Sequence, residues 1–295
     1  MQKRVLLNLA LLVMVLGLGA IALFKWKSDV PPEIQPLTTL DKNQVQQIVI
    51  SRIDDNDIVL QKDRQDQWSI SEPLQLAANQ FRIDSILQFL TTKHYQQLES
   101  PVDFAQLGLS QPAVSLTVDG TWLGLGIKSP FNDGRRYVAM NNQAYLVVDT
   151  ISYFLIGDAA LFASLFPLGS QPIITDIKLP NLSLQLQGHR WEFLTPTDPS
   201  LDNSADAIQG LIKAWQNLQA LSVRRYQTQA PQLAQIDVTL KNTGTLQFVL
   251  LATEPEFILA LPEKNVQYQI ASEQVDTLLS LPEKPINRAI DTNTL

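Results

Sequence analysis

The sequence predicts an α+β fold: an N-terminal transmembrane helix, then two tandem copies of a unit in which antiparallel sheets carry helices. Three observations predict it. Residues 5–24 are apolar apart from Asn8. The body behind them alternates apolar and polar residues over one short stretch after another, the period of half-buried strands. The order of those stretches is written twice, at a spacing near 123 residues.

The apolar run comes first. Twenty residues of helix rise about 30 Å, the thickness of a bilayer's hydrocarbon core. Lys3 and Arg4 precede the run, and Lys25, Trp26 and Lys27 follow it. The excess of positive charge at the front places the N-terminus in the cytoplasm and the body outside. Ala20 and Ala22 have the small-x-small spacing of a signal-peptidase site, but Leu23 and Phe24 continue the apolar run past it. Residues 1–27 are therefore expected to be an uncleaved anchor. Pro31, Pro32 and Pro36 mark residues 28–40 as an extended linker.

The first unit spans residues 41–157. Val45, Ile48 and Ile50 open an alternating strand, and Ile58 and Leu60 belong to the next. A third follows around Trp68. Ile83, Ile86, Leu87 and Leu90 stand at i, i+3, i+4, i+7, one face of a helix. Val114, Leu116 and Val118 lead through Asp119-Gly120, a hairpin turn pair, into Leu123, Leu125 and Ile127. A second hairpin turns at Asn141-Asn142, and a helix closes the unit from about Asp149. The second unit, residues 171–285, restates the order. Trp191 follows Trp68 by 123 residues and Tyr268 follows Tyr145 by 123. Ile208, Leu211, Ile212 and Trp215 restate the helix face, and Ile236, Val238 and Leu240 the strand after it. Val275 and Leu279 answer Ile151 and Leu155. Each unit thus reads β-β-β-α-β-β-β-β-α. Residues 158–170, ended by Pro167, read as a bridging apolar helix, and residues 286–295 as a polar tail.

Composition excludes much. Four of the 22 basic residues lie in residues 1–27 and none of the 29 acids does, which leaves the body near −11. Nucleic-acid binding rests on Lys and Arg neutralising phosphates, so no nucleic-acid partner is expected. The chain has no cysteine, which removes disulfides, thiolate metal sites and thiol nucleophiles. His94 and His189 fall at different places in the two units and have no metal-ligand spacing. The acidic run Asp54-Asp55-Asn56-Asp57 has Val59 and Gln65 where a calcium loop needs glycine and a bidentate acid. Gly120, Gly124 and Gly126 belong to a hairpin and not to a strand-to-helix phosphate cradle. Trp68 and Trp191 read as shared core anchors. The pairs Arg135-Arg136 and Arg224-Arg225 read as internally paired or solvated. No catalytic, cofactor-binding or metal-binding residue is expected.

The stretches Trp68 to Pro73, Leu107 to Pro112, Leu125 to Pro130, Arg136 to Val138 and Tyr145 to Val147, behind an anchor, resemble a bacterial family of domain-of-unknown-function proteins. Its members are encoded beside ABC transporters of the gliding-motility type. The resemblance covers residues 5–168 best. It implies an envelope accessory protein and no chemistry. The expectation is a non-enzymatic scaffold in the bacterial inner membrane, its body periplasmic, its partner a membrane-protein complex such as an ABC transporter. The alternative is a periplasmic binding module holding a lipid, glycan or small molecule in the cleft between the units. A carboxylate-dependent hydrolase comes third.

Overall fold

The computed structural model describes residues 14, 35–131, 133–196 and 198–284. The expected anchor, apart from Met14, and the polar tail lie outside the described residues, and among those no helix is long and apolar enough to cross a membrane.

Two antiparallel sheets dominate. The first unit runs β1 Gln47–Arg52, β2 Asp55–Lys62, β3 Trp68–Glu72, β4 Leu76–Ala77, α1 Gln80–Leu90, β5 Tyr95–Gln97, β6 Val114–Val118, β7 Thr121–Lys128, β8 Arg135–Met140, β9 Gln143–Val148 and α2 Ser152–Leu155. Its strands order as β4-β3-β2-β1-β6-β7-β8-β9-β5. The second runs β10 Ile174–Leu179, β11 Leu182–Gln187, β12 Arg190–Phe193, α3 Ala205–Gln216, β13 Ser222–Arg225, β14 Ala234–Leu240, β15 Gly244–Ala252, β16 Phe257–Leu261, β17 Val266–Ile270 and α4 Val275–Leu279. Its order is β12-β11-β10-β14-β15-β16-β17-β13. Strand for strand the two sheets are the same, except that β4 has no counterpart. The unit also holds a strand the sequence does not announce, β5 or β13, between the main helix and the long hairpins. Its Tyr-Gln-Gln and Ser-Val-Arg-Arg sequences are too short and polar to show a period.

The local chemistry explains the elements. The pattern on β6 alternates buried and half-buried residues. Asp119 and Gly120 both take positive φ, as do Asn141 and Asn142, the conformation that a two-residue hairpin matching strand twist requires. The Asp119 carboxylate also accepts from the Gln47 amide at 2.9 Å, pinning β1 to this turn. Helix α3 begins at Ser204, whose hydroxyl accepts from the Ala207 amide at 3.2 Å. Both predicted helix faces are buried, and Trp215 Nε1 donates to the Leu278 carbonyl at 2.8 Å, tying α3 to α4. Burial pushes the Tyr268 phenol up to about 12 from its usual 10. A raised folded value means this stabilisation is whole below pH 10 and is lost as pH rises from 10 to 12. Alkaline unfolding followed by circular dichroism is expected in that window, and Tyr268→Phe should move it upward.

Residue equivalence between the units departs from the constant spacing. Leu116 pairs with Ile50 and Ile50 with Ile58; Val238 pairs with Ile177 and Ile177 with Leu184. Leu184 thus stands in the place of Ile58 and Leu186 in that of Leu60. Leu60 pairs with Ile70, and Leu186 with Trp191. Trp191 therefore takes the place of Ile70, not of Trp68. Likewise Val147 pairs with Tyr95 of β5 and Tyr268 with Val223 of β13, so Tyr268 takes the place of Val147, not of Tyr145. Both slips are of two residues, which leaves every side chain on its own face. Trp68 is a buried core anchor as expected, but Trp191 is only half-buried.

The bridge is helical over one 3-10 turn only, Ala159–Phe162. Beyond it the chain extends. Phe162 O accepts from the Asn79 amide at 2.6 Å, Ser164 donates to Ala77 O at 2.8 Å, and Leu165 O accepts from the Ala220 amide of the second unit at 2.8 Å. Backbone pairing with both neighbours outcompetes continuation of the helix. The first two bonds recur at the end of the second unit, where Asp202 donates to Pro282 O and Lys284 to Ser200 O, each at 2.8 Å. The linker also ends earlier than residue 40: Leu37 and Thr38 are buried, and their amides bond the Thr92 and Leu90 carbonyls at the C-terminal end of α1.

Candidate docking face

Four of the five family-like stretches lie together on the adjacent strands β7, β8 and β9 and the loop over β7, while Trp68 to Pro73 lies along β3, with three strands between it and β7. The loop from Asp103 to Pro112 lies across β7, with Ile127 donating to Leu107 O at 3.0 Å. Only glycine permits this approach at position 126, because a Cβ there would sit 2.2 Å from the Leu107 carbonyl oxygen. Gly108, at φ +67°, makes the turn above it.

Arg136 of β8 reaches inward on the face of its strand that Val138 and Met140 share. Its Nε donates to Asp149 Oδ2 at 2.8 Å, Nη1 to the Gly126 carbonyl, and Nη2 to Ser152 Oγ at 3.2 Å. Ser152 donates its hydroxyl to Asp149 Oδ2 at 2.6 Å and its amide to Oδ1 at 3.0 Å. The two charged side chains are 11% and 8% exposed. Burial pushes the Asp149 carboxyl up, but the hydrogen bonds from Ser152 and Arg136, with the Arg136 charge, outweigh it and hold the group below the ordinary carboxylate range.

A hollow of about 290 Å³ opens beside this network, bounded by Gly108, Val114, Ile127, Arg136 and Ile156. Two of its lining residues, Ile127 and Ile156, are exposed, and exposed Tyr153 and Ile53 adjoin the lining through Ser152 and Ala113. Ile127 is 49% exposed and Ile156 60%; Tyr153 beside Ser152 is 64% exposed, as is Ile53, whose amide bonds Ala113 O. Arg82 of α1 stacks over Tyr153 at 5.1 Å and Phe154 at 4.8 Å and donates to the Tyr153 hydroxyl. Arg52 ties the opposite rim, bonding Gly157 O at 2.7 Å and Asp55 at 2.8 Å.

The second unit lacks this arrangement. By the pairings above, Leu259 stands where Arg136 does and Ile270 where Asp149 does. Both are fully buried. The fold therefore forms at this place with two apolar residues, and the ion pair is not a requirement of the architecture.

Of the charged residues singled out from the sequence, only Arg136 belongs to this face, where it is internally paired. Arg225 pairs with Asp158 of the bridge at 2.9 Å. Arg135 lies 3.8 Å from Asp133, and Arg224 reaches Gln269. His94 precedes β5 and His189 sits in the β11–β12 turn; both are exposed, and neither lines this hollow. The acidic run is the β1–β2 turn with the start of β2. Sequence reasoning did not join Arg136 to Asp149 and Ser152, because separations of 13 and 16 across a hairpin carry no local period.

Neither the curated proteins nor the solved structures include a match to this chain. Residues 68–163, which hold the loop, the ion pair and most of the rim, match the model of a family described as Domain of unknown function (DUF4340).

Proposed function

We propose that this protein is a non-enzymatic accessory or scaffold protein of the bacterial inner membrane. It is held there by residues 5–24 with its body in the periplasm, and it works by docking against a membrane-protein complex of the ABC-transporter kind. The observation that carries the reading is the exposed apolar rim of Ile53, Ile127, Tyr153 and Ile156, set on a buried ion pair that the second unit replaces with Leu259 and Ile270. Large exposed apolar side chains around a hollow mark candidate interaction surfaces, and aromatic and arginine groups are the usual anchors. The apolar run, its flanking charges and the family resemblance support the anchor and the partner class. A body near −11 argues against a nucleic-acid partner.

The ligand-binding alternative has weaker support. The hollow beside the bridge, about 650 Å³, is lined by Phe166 and by the polar Gln171, Gln216, Asn217 and Gln219. It belongs to the bridge and the second unit, and it is not an apolar tunnel between units.

The test is recovery of partners from native membranes in mild detergent, comparing the wild type with Ile127→Glu/Ile156→Glu. Both side chains face solvent, so the variant should keep its melting temperature. Partner recovery is expected to fall at least tenfold. Unchanged recovery of the same partners would remove this face from the reading.

A further inference from the structure

We propose that the chain self-associates through the outer edge of β12, two copies joining their second sheets about a two-fold axis at Trp191.

The two units differ at this edge. In the first, β3 is covered by β4, with Ser69 opposite Ala77 and Ile70 opposite Leu76. In the second, β12 is the last strand of its sheet among the described residues. The connections from β3 to α1 and from β12 to α3 make the same two backbone bonds to the segment that ends their unit, but only the first forms a strand, β4, along its sheet edge. A groove of about 510 Å³ is left between β12 and α3, walled by Trp191, Phe193 and Ile208 and by the polar Arg190, Glu192 and Asn203. Such a row of unpaired strand groups is a ready template for another strand.

The backbone register says how a strand would pair. Leu194 donates to Ser183 O, which places Glu192 and Arg190 in hydrogen-bonded pairs with β11. Antiparallel ladders alternate, so Trp191 and Phe193 turn their amide and carbonyl groups to the free edge. An antiparallel partner centred on Trp191 exchanges both bonds between the two Trp191 backbones.

The side chains select a second copy as that partner. With Trp191 on the axis, Arg190 faces Glu192 of the other copy and Glu192 faces its Arg190. These are non-hydrogen-bonded pairs, where opposed side chains are closest. Both residues are exposed, so both are available. The second Trp191 lies on the face that Trp191 and Phe193 share, opposite Trp191 as Leu76 is opposite Ile70 in the first unit. The stretch is thus self-complementary, the condition for a two-fold interface.

The experiment uses the full chain purified in detergent, with association measured by analytical ultracentrifugation. The wild type is expected to be dimeric. Arg190→Glu should weaken association at least tenfold by opposing two acids, and Arg190→Glu/Glu192→Arg should restore it. Because the chain has no cysteine, Arg190→Cys/Glu192→Cys should also give a covalent dimer on oxidation. A wild-type monomer, a dimer indifferent to Arg190→Glu, a charge swap that restores nothing, or a dimer without the cross-link overturns the proposal.

Discussion

Replacing Asp149 with alanine is expected to destabilise the protein by about 3–5 kcal/mol, the cost of leaving a buried charge without its partner. Arg136 would keep its bonds to the Gly126 carbonyl and Ser152, but neither carries a counter-charge. Exchanging both residues for the pair that the second unit uses, Arg136→Leu/Asp149→Ile, should cost far less, within about 1 kcal/mol of the wild type or better. Burying two ions is expensive, and well-packed apolar residues commonly match them. Urea unfolding followed by tryptophan fluorescence measures both. A double variant as unstable as Asp149→Ala would mean that the ion pair is structural, and the argument for a docking role at this place would fail. The same pair sets an acid limit. The Asp149 carboxyl sits below its unfolded value, so its contribution is whole above that value, near 3.9, and is lost as pH falls through the lower folded one.

Trp215→Ala should cost about 3–5 kcal/mol, the range for deleting a large core aromatic. Trp215 is fully buried, its ring lies 6.1 Å from that of Phe248, and its indole satisfies the Leu278 carbonyl. Truncation opens a cavity under α3 and also strands that carbonyl. Trp191→Ala, at a half-buried edge, is expected to cost less than about 1.5 kcal/mol. Melting temperatures of the two variants side by side decide it. Equal losses would contradict the placement of Trp191 at the periphery.

Much of the architecture was legible because burial enforces a period. Ile83, Ile86, Leu87 and Leu90, and their counterparts ending at Trp215, had to face one core, and they do. Asp119-Gly120 and Asn141-Asn142 named their turns through the positive φ that those turns require. The duplication was visible as order. Its exact register was not, because a two-residue shift along a strand keeps the same face inward. That degeneracy let the Trp68–Trp191 and Tyr145–Tyr268 coincidences pass as equivalences. The bridge misled for a related reason: an apolar run around Phe162 satisfies a helix and an extended segment equally, and the carbonyl and amide groups of Ala77, Asn79 and Ala220 decided between them. The site was least legible. Arg136 announced a charge, but Asp149, Ser152 and the Gly126 carbonyl meet it only after the β7–β8 and β8–β9 hairpins have folded.

The proposal that the first unit docks a membrane-protein partner is tested most directly by photo-cross-linking in native membranes. A photoreactive side chain would replace Ile156 on the docking face in one variant and exposed Leu194 of the second unit in another. The proposal predicts that position 156 captures a subunit of an ABC-transporter complex and that position 194 does not. Capture of nothing at 156, or of the same proteins equally at both positions, would contradict it.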